Sequence, residues 1–150
     1  MNKIIIFISL LIIISCSYDY DYENRVFKTY LNEQFNIDII QKKHLFIIIS
    51  EYKCKGCVGT TLLEISKLCN NKDISNITFL SKEKKIIPEN LYKEANIIID
   101  SLNQFDNLDI GIANVTLIIT EKGRIQLIRP IFLDEIELVT PKYIIPFLSY

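Results

Sequence analysis

The sequence predicts an α/β domain with a mixed β-sheet at its centre. Three short runs of β-forming apolar residues are separated by segments with helical spacing, and two further runs are joined by a tight turn. Strands that alternate with helices pair in parallel, because each crossover helix returns the chain across the sheet. The terminal hairpin then adds an antiparallel edge. These five predicted strands cover residues 45–49, 77–80, 96–100, 115–120 and 124–129, and a short edge strand is also predicted over 36–40.

The length and composition support a single domain with a sizeable core. The chain has 150 residues, of which 49% are hydrophobic, and this length suits one domain rather than two. Its 17 Lys and Arg are balanced by 18 Asp and Glu, so there is no basic surplus to bind nucleic acid. The apolar content also excludes disorder for most of the chain.

The strand over 45–49 is predicted to lie in the middle of the sheet. Its apolar run does not alternate with polar residues, as expected for a strand that is buried on both faces. In the hairpin, Glu121, Lys122 and Gly123 form the turn, and Gly123 readily adopts the positive φ that such a turn requires.

The helical spacing of apolar residues predicts the outer layers. It favours an amphipathic helix over 22–35 and a second helix over 60–69. Proline is tolerated at the first position of a helix, so Pro88 indicates a short helix over 89–95. The C-terminal stretch 141–150 is predicted to form a last helix.

Three further features concern the connections. Residues 36–40 have the pattern of a short edge strand. Residues 101–114 are polar and include Gly111, which indicates a loop with a helical turn. Pro146 is expected to break the last helix.

The N-terminus has the pattern of a secretion signal. Lys3 precedes an almost unbroken apolar run of 11 residues, which is too short to span a bilayer as a helix but has the length of a signal-peptide core. The run ends in Ile-Ile-Ser-Cys, which resembles the lipobox of bacterial lipoproteins. This resemblance implies that a signal peptide over 1–15 is removed and that Cys16 carries acyl chains such as palmitate. A plain secretory peptide with a coincidental cysteine is the alternative.

The mature chain is expected to consist of a tether over 16–24 and a domain over 25–150. The tether is acidic and aromatic and contains no aliphatic residue. It is either a solvated spacer or a sorting signal, since it resembles the surface-export signals of some Bacteroidetes lipoproteins. The sequence therefore predicts a protein of the cell envelope, anchored by lipid to a membrane at its periplasmic face or at the cell surface.

Cys54 and Cys57 are the residues predicted to carry chemistry. They lie between the buried strand and the first turn of a helix, where unpaired N–H groups and the helix dipole favour a thiolate. Lys53 and Lys55 flank Cys54 and are expected to favour its thiolate further. The i, i+3 spacing lets the two sulfurs meet, so that Cys54 can attack a substrate disulfide and Cys57 can resolve the mixed disulfide.

Residues 44–129 resemble the thioredoxin superfamily, and in particular its membrane-tethered thiol–disulfide oxidoreductases of the TlpA and ResA type. The matching pieces are the strand over 45–49, the Cys-Lys-Gly-Cys motif with its helix, the strand over 77–80, and the later strands with their closing hairpin. The resemblance implies a three-layer thioredoxin-like fold, with helices on both faces of the central sheet.

The same resemblance implies a function. Cys54 would be the nucleophile and Cys57 the resolving cysteine, while Val115 and Thr116 would form a substrate-facing loop. No cofactor is expected, and the partners would be exported cysteine-containing proteins or a membrane redox partner. The alternative is a surface lipoprotein that is not an enzyme, in which the thioredoxin-like domain binds a partner and the cysteine pair is a structural disulfide.

Three positions depart from the pattern of that family. Val115 stands where the family usually has a cis-proline, and Lys53 stands where many members have an aromatic residue. Ile48 replaces a buried acid that some members carry. Without that acid, Glu51 is the nearest candidate for proton transfer to or from Cys57.

The fourth cysteine and the single histidine are predicted to be structural. Cys69 lies 12 residues after Cys57 on the same predicted helix, roughly 18 Å away, which is too far for a shared disulfide or metal ion. It is expected to be buried, and dimerisation through it is the alternative. His44 is expected to be a structural residue rather than a copper ligand, and no metal site is predicted.

Overall fold

Five strands form one mixed β-sheet in the computed structural model of the chain, which describes residues 19–39, 41–50 and 54–148. They are β1 (His44–Ile49), β2 (Ile77–Ser81), β3 (Asn96–Ile99), β4 (Val115–Glu121) and β5 (Arg124–Ile131). The order across the sheet is β3-β2-β1-β4-β5. The first three strands are parallel, whereas β4 is antiparallel to β1 and forms a hairpin with β5. The predicted α/β class, with a mixed sheet and a hairpin at one edge, is confirmed.

Some of the predictions concern residues outside the described ranges. These are the signal peptide over 1–15, the lipid-bearing Cys16, and the two residues Glu51 and Lys53 that precede the dithiol. The statements about these residues remain predictions. Residues 19–24 of the tether predicted over 16–24 are described, and residues 21–24 belong to the first helix (Asp21–Phe35) rather than to a tether.

β1 owes its central position to its composition. All six of its residues are buried. Because side chains alternate along a strand, Leu45, Ile47 and Ile49 enter one hydrophobic cluster, whereas Phe46 and Ile48 enter another on the opposite face. The predicted burial on both faces is confirmed.

Helices cover both faces of the sheet. They are α1 (Asp21–Phe35), α2 (Lys55–Cys69), α3 (Glu89–Tyr92) and α4 (Ile136–Ile144). Residues of α2 and α4 pack into one cluster with the odd-numbered residues of β1, and we call this side the α2 face. α1 packs into the cluster on the other side, which we call the α1 face.

α1 is held on its face by aromatic packing and by one buried carboxylate. The ring of Phe27 meets the ring of Phe46 edge-on, with 5.2 Å between centroids. The hydroxyl of Tyr30 donates a hydrogen bond to the carboxylate of Asp100 at 2.9 Å, and the N–H of Phe105 donates to the same oxygen at 3.0 Å. Asp100 directly follows β3, so this carboxylate links α1 to the segment beyond the edge strand.

The edge strand predicted over 36–40 is wrong for the residues that the structure describes. α1 ends at Phe35, its C-cap Asn36 has a left-handed backbone with φ 54°, and residues 36–39 form no strand. Ile37 and Ile39 pack against the α1 face instead. Their alternation therefore reflects a loop that buries two side chains.

The last helix begins five residues before the predicted position. α4 starts at Ile136, and Pro141 lies inside it. The carboxylate of Glu135 accepts a hydrogen bond from the N–H of Phe132 at 3.2 Å, so the chain turns into the helix before the proline is reached. Pro146 lies in a 3-10 turn directly after α4, at the predicted break.

The remaining regular segments are short. The helix predicted over 89–95 ends already at Tyr92, and the loop over 101–114 contains the expected helical turn. The 3-10 segments are Lys84–Ile86, Gln104–Asn107, Leu133–Glu135 and Ile145–Phe147.

Candidate redox site

Cys54 and Cys57 occupy the junction between β1 and α2. Cys54 is the N-cap of α2 and has an extended backbone, and Cys57 lies in the first turn of the helix. The two sulfur atoms are bonded to each other, with the Cα atoms 5.3 Å apart. Both residues are half-buried. The motif therefore lies after a buried strand and at a helix N-terminus, as the sequence predicts.

Two backbone N–H groups of the first helical turn donate hydrogen bonds to Cys54. The N–H of Cys57 donates a hydrogen bond to the Sγ of Cys54 at 3.2 Å, and the N–H of Val58 donates to the carbonyl of Cys54 at 3.1 Å. N–H groups in a first turn have no partner within the helix, so this sulfur acts as the capping acceptor. After reduction, the same donor and the helix dipole would favour a thiolate at Cys54.

The helix surface next to the disulfide is open. Lys55, Gly56 and Gly59 are exposed, and a Cβ atom added to either glycine would meet no described atom within 4 Å. A groove of about 530 Å³ begins at Lys55 and follows α2 past Leu62 and the loop at Pro88. Lys55 lies at the start of this groove, and its predicted effect on the Cys54 thiolate remains a prediction.

The structure places Val115 and Thr116 at the start of β4. Val115 pairs with Ile49 at the end of β1, and the N–H of Ser50 donates to the carbonyl of Asn114 at 2.8 Å. The start of β4 therefore lies beside the chain that leads to the dithiol. Both residues are buried in the strand, however, and do not form the predicted substrate-facing loop. The loop lies just before them, at residues 111–114. A substrate-facing role for them remains a prediction.

The backbone at Val115 also departs from the family that the sequence resembles. No cis peptide bond occurs among the described residues, which include Val115 and its neighbours. The hydroxyl of Thr116 accepts a hydrogen bond from the N–H of Ala113 at 2.9 Å and so closes the preceding loop. Thr116 therefore stabilises the loop with its side chain.

Two features near the start of β4 are absent from the site predicted from the sequence. The Oδ1 atom of Asn114 is buried and has no hydrogen-bond partner within the described part of the chain. Phe132 and Leu133 follow β5 and are 53% and 57% exposed. They lie at the same edge because Ile131 pairs with Val115. Counting the hairpin register outward from the turn at 121–123 would have placed this position one residue too early, because a register shift between Ile119 and Thr120 adds one residue to β5.

Cys69 lies at the other end of α2, far from the dithiol. The helix is continuous between Cys57 and Cys69, so the separation of roughly 18 Å along its axis is retained. Cys69 is a free thiol and is 3% exposed. Burial, with a smaller contribution from Glu94, raises the pKa of this thiol to about 11. The prediction that Cys69 is a buried residue is confirmed.

His44 lies at the end of β1 that is opposite to the dithiol. Its ring is buried, and its Nε2 atom is 2.8 Å from the hydroxyl oxygen of Thr78. Burial lowers the pKa of His44, which favours the neutral ring. Within the described residues, no group of three or more His, Cys, Asp and Glu side chains is arranged to hold a metal ion.

Comparisons with known proteins identify no relative of the chain. No family model, no curated protein and no solved structure matches the chain. None of the helices in the described ranges combines the length and the apolar character needed to cross a membrane.

Proposed function

We propose that the protein is an envelope-anchored thiol–disulfide oxidoreductase that acts through Cys54 and Cys57. The observation that carries the proposal is the position of Cys54 at the N-cap of α2, where its sulfur accepts the N–H of Cys57 and is bonded to the Cys57 sulfur. A half-buried dithiol at a helix N-terminus combines access for a substrate with donors that stabilise a thiolate.

One round of exchange involves the substrate and the two cysteines in their reduced form, and a thiol reductant must first supply two electrons to the Cys54–Cys57 disulfide. The thiolate of Cys54 attacks one sulfur of a substrate disulfide, which forms a mixed disulfide and releases the other substrate sulfur as a thiolate. The thiolate of Cys57 then attacks the Cys54 sulfur, which forms the Cys54–Cys57 disulfide and releases the second substrate sulfur. Two electrons pass to the substrate, and the reverse sequence oxidises a substrate dithiol.

The proposed fold is thioredoxin-like. Its support is the arrangement of three parallel strands and a terminal antiparallel hairpin, with the dithiol directly after the central strand β1. The coverage of both sheet faces by helices agrees with the three-layer architecture that the sequence resemblance implies.

The proposed anchor is a lipid on Cys16, and its support is the sequence alone. Acyl chains contribute roughly 0.8 kcal/mol for each buried CH₂ group, so two or three chains hold a protein firmly on a membrane. Mass spectrometry of the membrane fraction should find acylated Cys16 at the N-terminus. A Cys16→Ala variant should lack the lipid and leave that fraction, and an unmodified wild-type residue would contradict the anchor.

The decisive experiment is the equilibrium reduction potential of the Cys54–Cys57 pair. It is measured by alkylation in glutathione buffers, with a Cys69→Ala variant to remove the third thiol of the mature domain. Dithiol catalysts have potentials from about −120 to −270 mV, and a value in that range would support exchange. A value below about −300 mV is typical of a structural disulfide and would contradict it.

A trapping experiment tests the assignment of the two roles. Cys57→Ser retains the attacking thiol but removes the resolving one, so it should accumulate mixed disulfides with substrate polypeptides. Cys54→Ser is the matched control and should accumulate none. Equal trapping by both variants would contradict the assignment of Cys54 as the nucleophile.

The second candidate is a binding module in which the disulfide is structural. Its support is the burial of Val115 and Thr116, whose side chains are withdrawn from any substrate at the dithiol. In that case, Cys54→Ser should leave partner binding unchanged and lower only the stability. The reduction potential separates the two functions.

A further inference from the structure

Strand β3 (Asn96–Ile99) forms one edge of the sheet and presents two residues whose backbone groups point outward. The N–H of Asp100 donates to the carbonyl of Ser81 in β2 at 3.0 Å. Because backbone groups alternate in direction along a strand, the N–H and C=O groups of Ile97 and Ile99 point away from β2. Among the described residues, no strand pairs with this outer side of β3.

The opposite edge strand, β5, carries three features that hinder pairing with another chain. Pro130 has no N–H to donate, Arg124 and Arg129 are charged, and a register shift against β4 makes the pairing irregular. β3 contains no proline and no charged residue, and its register with β2 is unbroken. Ile99 is in addition 38% exposed. β3 is therefore the edge that the fold leaves open to pairing.

The backbone of β3 is matched to a second copy of itself. In an antiparallel pair centred on Ile98, Ile97 of each copy lies opposite Ile99 of the other. Both residues direct their N–H and C=O groups outward, so each of the two pairs forms two hydrogen bonds. A pair centred on Ile97 would instead place Ile99 opposite Ala95, whose N–H already donates to the carbonyl of Leu91 at 2.9 Å. The register centred on Ile98 uses every outward group of the strand.

The side chains agree with the same register. Ile97 packs against the α2 face, and Ile99, two residues further on, points to the same side of the sheet. In the pair, the exposed Ile99 of one copy covers Ile97 of the other. The two Ile98 side chains lie next to each other on the α1 face. The contact is therefore apolar on both faces.

We propose that β3 pairs antiparallel with β3 of a second copy, so that two five-stranded sheets join into one sheet of ten strands. A two-fold axis perpendicular to the sheet at Ile98 relates the copies, and two-fold symmetry is the commonest symmetry of protein dimers. Such an axis keeps both α1 faces on the same side of the dimer. Tyr20, the N-cap of α1, packs against that face, which suits attachment of both copies to one membrane through the proposed lipid on Cys16. The pairing does not depend on the proposed exchange.

The oligomeric state of the purified full chain tests the proposal. Light scattering is measured over a concentration series in detergent, with micelles in large excess so that two chains do not share one by chance. Wild type should form a dimer whose fraction rises with concentration. Ile99→Lys places a charge in the contact, so its dissociation constant should rise at least about tenfold.

Leu102→Lys is the matched control for this measurement. Leu102 is 75% exposed but lies beyond the end of β3, so this variant should dimerise like wild type. Wild type that stays monomeric at every concentration would overturn the proposal. A dimer that Ile99→Lys leaves unchanged would overturn it as well.

Cysteine crosslinking tests the register without a variant that breaks the dimer. Opposed residues of a non-hydrogen-bonded antiparallel pair have Cα atoms about 4.5 Å apart, which is within the range of a disulfide. Ile98→Cys in a Cys69→Ala background should therefore give a disulfide-linked dimer under mild oxidation. Leu102→Cys lies four residues from the axis and should stay unlinked. A folded dimer of Ile98→Cys that does not link, or equal linking at both positions, contradicts the proposed register.

Hydrogen exchange distinguishes a second copy from another occupant of this edge. The amides of Ile97 and Ile99 should be protected in the dimer and should exchange at least about tenfold faster after dilution to the monomer. Protection that persists in the monomer would mean that a segment of the same chain covers β3. That result would overturn the proposal.

Discussion

The two ends of helix α2 place cysteines in opposite environments. At its N-terminus, Cys54 and Cys57 are half-buried, and a backbone N–H donates to the sulfur of Cys54. At its C-terminus, Cys69 is 3% exposed, and burial raises the pKa of its thiol to about 11. One helix therefore holds a half-buried disulfide and a buried thiol that is protonated at neutral pH.

The comparison shows how position on a helix changes the surroundings of a cysteine. Donor groups without partners collect at a helix N-terminus, whereas the C-terminus presents carbonyl oxygens that disfavour a negative charge. Burial of Cys69 in the cluster of the α2 face is the main cause of the raised pKa of its thiol, and Glu94 makes a smaller contribution. The same side chain is thus a small apolar residue at one end of α2 and a candidate nucleophile at the other.

The largest expected effect is the loss of exchange in Cys54→Ser. This variant should reduce protein disulfides no faster than buffer alone, because no nucleophilic thiol remains at the accessible position. Cys69→Ala should retain the wild-type rate. Insulin reduction in the presence of a thiol reductant measures both. Loss of activity in Cys69→Ala would contradict the conclusion that only the cysteines at the N-terminus of α2 take part in exchange.

The next effect is a loss of stability at alkaline pH that depends on Cys69. Its folded-state pKa of about 11 lies above the value of 9.0 for a solvated thiol. The neutral thiol therefore stabilises the fold fully below pH 9, and this contribution is lost as the pH rises toward 11. By linkage, the loss is about 2 to 3 kcal/mol.

Urea unfolding of wild type and Cys69→Ala between pH 7 and 11 measures this loss, with the pH range set by the two pKa values of the thiol. The difference between the two proteins isolates Cys69 from Tyr30, whose pKa is also raised, by burial and by its hydrogen bond to Asp100. The advantage of wild type should shrink as the pH rises. A constant difference across the range would show that the pKa of the Cys69 thiol is the same in the folded and unfolded states.

A smaller effect concerns the glycines at the dithiol end of α2. Gly59 is exposed in the helix, and a Cβ atom there would have open space. Gly59→Ala should therefore raise the free energy of unfolding by about 0.5 to 1 kcal/mol, because alanine loses less conformational entropy in a helix. The reduction potential should not change. A decrease in stability on urea unfolding would show that the position is constrained by contacts outside the described residues.

The smallest effect is that of the charge on Lys55. Its side chain is exposed beside Cys54, so solvent and salt screen its field. Lys55→Gln should slow alkylation of reduced Cys54 by less than about threefold at low salt, and the effect should vanish at high salt. Lys67→Gln, in the last turn of α2, is the control and should have no effect. A salt-independent loss at Lys55 would indicate direct contact with the reagent.

Much of the architecture follows from local patterns. The unbroken apolar run of β1 is buried from water only where both faces of the strand are covered. The tight turn at Lys122 and Gly123 brings its flanking residues together as an antiparallel pair. The last helix shows the limit of this reasoning. Pro141 is a residue type that is common at the start of a helix, but this helix begins earlier, at Ile136. The Glu135 carboxylate accepts the N–H of Phe132 and turns the chain there.

The sequence by itself determined the mixed α/β sheet, the central strand and the placement of a cysteine pair at a helix N-terminus. These features depend on side-chain periodicity and on contacts between residues close in the chain. Only the tertiary structure decided that residues 36–39 form a loop and that Val115 and Thr116 are buried. It also decided that Phe132 and Leu133 lie at the end of the sheet that is next to the dithiol. Those outcomes depend on which elements become neighbours, and pairing between distant strands sets that order.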